Sequence, residues 1–216
     1  MPAGRGGRWP RVPTGAVYLL GLVPLGLLVA GALADGLGAD PAKRIEHAFG
    51  TAAVQFLIAT LAVTPLRRLA GVNLMRWRRG LGLVAFGYGV AHLGVWVVLD
   101  IQLRWDEIAR DLIRRPYVIF GMAALVLLVP LALTSTDGAI RRLGALRWRR
   151  LHLLVHPAAI LVALHVVAQA KVWAAEPVAY GAALVLLVAL RLVPQGRGRR
   201  LQAGTAPPRP DAGGRL

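Results

Sequence analysis

The segment "RWRRLHLLVHPAAILVALH", Arg147 to His165, places three histidines in a run otherwise apolar enough to lie in lipid. His92 lies in a second apolar run, and His47 sits just before a third. Lipid offers an imidazole no partner, so a histidine inside a span implies a metal, a cofactor or a bond to a neighbouring helix. His92 lies 13 residues beyond Arg79 and His165 lies 15 beyond Arg150, each on a helix that starts after a basic cluster. At a rise of about 1.5 Å per residue, the two differ in depth by only about 3 Å. Two neutral imidazoles facing each other at one level of a bundle can serve as the axial ligands of a haem iron. Ala85, Gly89 and Trp96 share the face of His92, and the two small residues would let a flat macrocycle approach the backbone. The competing account is a pair of core histidines bonded to neighbouring helices, which spacing alone leaves open.

The other histidines carry weaker signals. His152 lies 13 residues before His165, about 20 Å of helix, so the two cannot ligate one iron. Near Arg147, Arg149 and Arg150, His152 suits a second haem, a quinone or flavin contact, or a place among lipid headgroups. His156 shares its helix face, but a metal pair lacks any nearby carboxylate or thiol. Pro157 follows directly, so a helix there would leave a carbonyl free for His156 to satisfy. His47, beside Lys43, Arg44 and Glu46 in an expected outer loop, is read as a solvated residue.

The elements that must position these rings are membrane spans. Of the 216 residues 56% are hydrophobic, against about 45–50% in soluble domains, and mean hydropathy is +0.58. Six apolar runs, about 16–34, 48–66, 81–99, 117–134, 152–170 and 178–193, each approach the roughly 20 residues that a spanning helix needs. The first is too long for a signal-peptide core, and no A-x-A site follows it. The expected fold is therefore all-α, a six-helix transmembrane bundle over residues 16–193. Basic, Gly- and Pro-rich tails at 1–15 and 194–216 are expected to be disordered.

Charge orients the bundle. Of the 26 Lys and Arg residues, 19 lie in the N-terminal tail, the C-terminal part from Arg191 and the 67–80 and 135–151 loops, while 8 of the 10 acidic residues lie in the alternate loops. The positive-inside rule then puts both termini in the cytoplasm. This split accounts for the net charge of +16 without nucleic acid, since the basic residues bracket apolar segments rather than forming one stripe. With no cysteine, disulfides, thiol catalysis and iron–sulfur ligation are excluded. The outer segment "RWDEIARDLIRRPY" has Trp105, Ile108 and Leu112 at helical spacing, as in a short amphipathic helix on the outer interface. No internal repeat stands out.

"RRGLGLVAFGYGVAHL" (Arg78–Leu93) and "WRRLHLLVHPAAILVALH" (Trp148–His165) resemble the ferric-reductase-like transmembrane domain. Within it, the chain resembles the MsrQ (YedZ) family, haem-binding membrane subunits of protein-methionine-sulfoxide reductases. "GLGADPAKRIEHAFG", "RRPYVIFG" and "LALTSTDGAIRRLG" fit in order and spacing, so the resemblance covers roughly residues 17–193. It implies that His92 and His165 ligate a b-type haem near the outer side, and that His152 holds the family's inner histidine position. It also implies flavin mononucleotide (FMN) as a further cofactor and the membrane quinone pool as electron donor. The implied partner is a periplasmic molybdopterin subunit that reduces methionine sulfoxide in damaged proteins, and the implied location is the bacterial inner membrane. In one departure, His156 stands where the resemblance leads one to expect an aromatic residue, which makes it a rival to His152 for the inner cofactor.

The resemblance thus implies an electron-transfer subunit, with sulfoxide reduction itself expected on the partner. Two other classes stay open. One is a haem-binding membrane subunit of a different reductase, although this chain has no soluble NAD(P)H/FAD domain. The other is a haem-free transporter, which would need a polar path that the spans largely lack.

Overall fold

Every long element is a helix, as the lipid environment requires: a backbone without water must satisfy its amides within one segment. The computed structural model describes residues 13–170 and 174–192. The expected disordered tails lie outside these residues, apart from residues 13–15. The long helices are α1 (Ala16–Asp35), α2 (Pro41–Leu69), α3 (Arg78–Val95), α5 (Pro116–Leu133), α8 (Val155–Gln169) and α9 (Ala175–Leu192). Shorter ones are α4 (Trp105–Arg114), α6 (Asp137–Leu143) and α7 (Ala145–Leu151). A π-helical turn, Trp96–Asp100, extends α3, and a 3₁₀ turn, His152–Leu154, joins α7 to α8. Among the described residues, five segments are long and apolar enough to cross a membrane: Ala16–Ala34, Pro41–Leu69, Arg78–Asp100, Pro116–Leu133 and Ala145–Gln169. The protein is a multi-pass membrane protein. The sixth expected span falls on α9, which carries Glu176 in its first turn and Arg191 in its last.

Two expected boundaries are corrected. α2 starts at Pro41 rather than near residue 48, because the Asp40 side chain accepts the Lys43 amide and Pro41 fills a first-turn position that needs no donor. His47 therefore lies inside a helix, not in a loop. The 135–151 segment, expected to be a loop, folds into α6 and α7, with Thr136 capping the first through the Ala139 amide. Gly144, at φ 76°, makes the turn between them in a region that other residues rarely enter. The short amphipathic helix expected after Arg104 forms as α4, with Trp105 and Ile113 strongly exposed and no buried residue.

Packing closes a ring. α3 packs on α2, α2 on α9, α9 on α8, α8 on α5, and α5 on α3, while α1 leans on the outside against α3 and α2. Tyr88 ties three of these helices together: its ring meets Phe49 and Phe56 of α2, and its hydroxyl donates to the Gly21 carbonyl of α1. Leu61, Val63, Ala159 and Leu184 are among the most buried residues of this core. α3 and α8 stand on opposite sides of the ring, with the space between them left as a cavity.

Several spans contain proline, whose missing amide releases a carbonyl one turn earlier. In α8 that carbonyl belongs to Leu153, and His156 Nδ1 lies 3.0 Å from it. A carbonyl only accepts, so His156 holds its proton on Nδ1, in the structural role that its place before Pro157 suggested. His156→Ala is expected to cost about 0.5–1.5 kcal/mol in a detergent unfolding equilibrium. The cavity of the ring should be unaffected by that change.

Candidate functional site

The cavity of about 300 Å³ is walled by α2, α3, α5, α8 and α9, at the size where cofactor sites begin. Its walls are mostly apolar, with Leu57, Ala85, Leu125 and Val162 among them. Its polar groups gather at one end, where α2, α5 and α9 begin and α3 and α8 end. Lys43, Glu46, His47, Arg115, Gln169 and Glu176 line that mouth. The opposite end of the bundle carries Arg67, Arg68, Arg78, Arg191 and His152.

His92 and His165 enter the cavity from opposite walls, with ring centroids 6.2 Å apart and planes 78° apart. Each ring is tied back through one nitrogen. His92 Nδ1 is 2.9 Å from the Glu46 carbonyl of α2, and His165 Nδ1 is 2.7 Å from the Tyr117 carbonyl of α5. Because both partners are acceptors, both protons sit on Nδ1, and each Nε2 keeps a free lone pair. Metal-binding histidines are commonly held in this way, with the second nitrogen donating to a carbonyl or carboxylate.

The rings fit a haem iron. Two imidazole nitrogens that each lay about 2.0–2.1 Å from one shared metal would set their ring centres roughly 6–6.5 Å apart. The separation of His92 and His165 falls in that range without any movement. Ala85 and Gly89 line the cavity on the His92 side, so the small face expected from the sequence does turn toward it.

Two glycines make the arrangement possible. An ideal Cβ on Gly50 would come within 3.0 Å of His92 Nδ1, and one on Gly121 within 2.8 Å of His165 Nδ1. Each glycine sits four residues after the carbonyl that holds the ring. The sequence reading missed both, although a signal exists: Phe49–Ala53 and Phe120–Ala124 both read F-G-x-A-A. These matching stretches are too short to count as an internal repeat, but they mark the two glycines.

The mouth is tied by charge. Lys43 bonds the buried Glu46 carboxylate at 2.9 Å and reaches Asp100 at the end of the π turn, joining α2 to α3. Between the neighbouring helices α2 and α9, Gln55 donates to the Tyr180 hydroxyl at 2.8 Å, and that hydroxyl donates to Glu176 at 3.1 Å. His47 is exposed on this rim, and neither it nor His156 is brought to the paired rings.

His152 lies outside the cavity, toward the arginine end. Its ring stacks on Trp148 at 3.9 Å between centroids, and its Nδ1 is 3.1 Å from the Trp148 carbonyl. Its Nε2 is buried and makes no hydrogen bond of normal geometry, with the Leu131 backbone beside the ring. A buried lone pair of this kind is costly unless something binds it.

A sequence pattern described as "Ferric reductase like transmembrane component" matches residues 48–176, which include His92, His152, His165, Gly50 and Gly121. A protein of Brucella anthropi named "Protein-methionine-sulfoxide reductase heme-binding subunit MsrQ" is 45% identical over 185 residues, covering 85% of this chain and 84% of that protein. A protein of the same name from Brucella ovis is 46% identical over 176 residues, covering 82% and 80%.

Proposed function

This chain belongs to the family of ferric reductase like transmembrane components and, within it, to the MsrQ heme-binding subunits, and from that premise we propose that it is the electron-transferring membrane subunit of a protein-methionine-sulfoxide reductase. His92 and His165 would hold the iron of a b-type haem, and bound haem would supply the one-electron carrier that side chains lack. The observation that carries this reading is the pair of rings 6.2 Å apart, each with Nδ1 committed to a carbonyl and Nε2 left for a ligand.

The chain's own contribution is binding, orientation and exclusion of water. The Glu46 and Tyr117 carbonyls hold the imidazole tautomers and polarise them toward the cavity. The apolar walls keep the site dry, which strengthens each electrostatic contact within it. Arg115 and Lys43 at the mouth provide cations on the side where carboxylate groups of a cofactor or partner would be met.

The remaining assignments follow the family and the charge bias. The bundle would cross the bacterial inner membrane six times, α9 included, with both termini cytoplasmic and the mouth facing the periplasm. Electrons would come from the quinone pool, with FMN near the arginine end, and leave to a periplasmic molybdopterin subunit that performs the sulfoxide reduction. The buried Nε2 of His152, which makes no hydrogen bond of normal geometry, supports a second, inner ligand position, a second haem or a quinone contact.

The test is purification in detergent followed by visible spectroscopy and measurement of haem and flavin per chain. A reducible Soret and α-band spectrum with at least one haem per chain is expected. A protein purified without those bands, and unable to take up added haem, would end this reading and return the cavity to a transporter or assembly role.

A further inference from the structure

We propose that Gly50 and Gly121, each with the backbone carbonyl one turn before it, form a paired cradle that sets the tautomer and seat of His92 and His165. These glycines are thus positioning residues for the haem ligands, an inference that rests on the haem reading above.

The argument begins with helix geometry. Each Cα–Cβ bond tilts toward the helix N-terminus, so the Cβ of one residue leans over the carbonyl four residues earlier. That carbonyl already accepts its helical amide, and its second lone pair is screened by the Cβ above it. Glycine removes the screen. A ring from a neighbouring helix can then descend onto the bare backbone and bond the carbonyl from the side.

Both halves of the ring show this geometry. The carbonyl of Glu46 holds His92 beside Gly50, and the carbonyl of Tyr117 holds His165 beside Gly121. The atoms that an added Cβ would meet come in the same order at both sites: Nδ1, then Cε1, then Cγ. At Gly50 the distances are 3.0, 3.1 and 3.7 Å, and at Gly121 they are 2.8, 3.0 and 3.3 Å. The shared F-G-x-A-A pattern places the two glycines alike on α2 and α5, and the two histidines answer from α3 and α8. The two sites therefore share one solution, built twice around the cavity.

A methyl group at either position has only a few exits. The ring is anchored to its own helix on one side and bonded to the carbonyl on the other. It must turn or slide into the cavity, and either motion breaks the Nδ1–H···O bond. The proton is then free to move to Nε2, and a protonated Nε2 is no ligand. Losing a partner that orients a metal-bound histidine typically weakens metal affinity about 10- to 100-fold.

The test compares Gly121→Ala and Gly50→Ala with Gly87→Ala and Gly94→Ala on α3, where an added Cβ meets nothing within 4 Å. All are purified as full-length protein, with haem content and the low-spin signature read by absorption and electron paramagnetic resonance. Gly121→Ala is expected to lose the low-spin bis-imidazole signature and to bind haem 10- to 100-fold more weakly, with Gly50→Ala showing a smaller loss. The two controls keep the parent spectrum. If Gly121→Ala fails to accumulate, Gly50→Ala decides. A parent protein that binds haem, alongside cradle variants with unchanged spectrum and affinity, overturns the cradle and leaves the haem reading standing. A parent protein that binds no haem overturns both.

Discussion

His92→Ala and His165→Ala are each expected to abolish the spectrum of the haem between α3 and α8, whereas His47→Ala leaves it intact. The contrast follows from position. His92 and His165 point across one cavity with free Nε2 lone pairs, and the third imidazole that lines it, that of His47, stands at the mouth. His47 is on the same rim but exposed, seven residues past the Asp40 cap of α2, and nothing ties its ring toward the pair. Removing one ligand leaves an iron held from a single side, in a cavity whose other lining side chains near the centre are hydrocarbon. The low-spin signal should therefore vanish rather than shrink, and retained haem should be bound at least about 10-fold more weakly. Absorption spectra of the three purified variants, with haem titrated back, make the measurement. If both ligand variants keep a full low-spin spectrum, the pairing is wrong and the iron is bound elsewhere. Any residual haem signal should come from the His152 position, and His92→Ala/His152→Ala separates the two sites.

The matched depth of the two rings was legible because it needs only counting. Both helices leave an arginine cluster, and a helix rises by a constant amount per residue, so His92 and His165 arrive at one level. His156 was legible for a similar local reason: a proline one residue on releases a carbonyl one turn back. The cradle was not legible in that way. Gly50 lies 42 residues before His92, and Gly121 lies 44 before His165. Their meaning depends on which helices become neighbours, which periodicity does not fix in lipid, where every face is apolar. The charges around His47 misled for another reason. Lys43, Arg44 and Glu46 look like loop residues, but Lys43 and Glu46 form an ion pair along one helix face, and the Asp40–Pro41 start signal preceded them. The arginine-rich 135–151 stretch was likewise read through its charge, while Thr136 and Gly144 marked helix ends.

The largest expected effect on stability lies at the other end of the bundle, at Arg191. Pro65 interrupts α2 and leaves the Leu61 carbonyl without its helical amide in the middle of the core. Arg191 of α9 reaches across and donates through Nη2 to that carbonyl at 2.8 Å, and to the Thr60 carbonyl at 3.2 Å. The guanidinium is held there despite a cost, since its Nε is buried without a partner and Arg68 and Arg78 repel it. Arg191→Met keeps most of the stem and removes the donor, leaving a buried carbonyl unpaired, which is expected to destabilise by about 1–3 kcal/mol. The same change also relieves the repulsion, so a neutral or stabilising result would show that the clamp does not outweigh that repulsion. Pro65→Ala supplies the decisive comparison. Alanine restores an amide that can bond the Leu61 carbonyl, so Arg191→Met should cost much less in that background. The Thr60 carbonyl keeps its own helical amide in every variant and contributes little to the difference. Unfolding equilibria in detergent for the parent, the two single variants and the double variant measure the coupling. Costs that simply add would mean that Arg191 does not act through the carbonyl freed by Pro65.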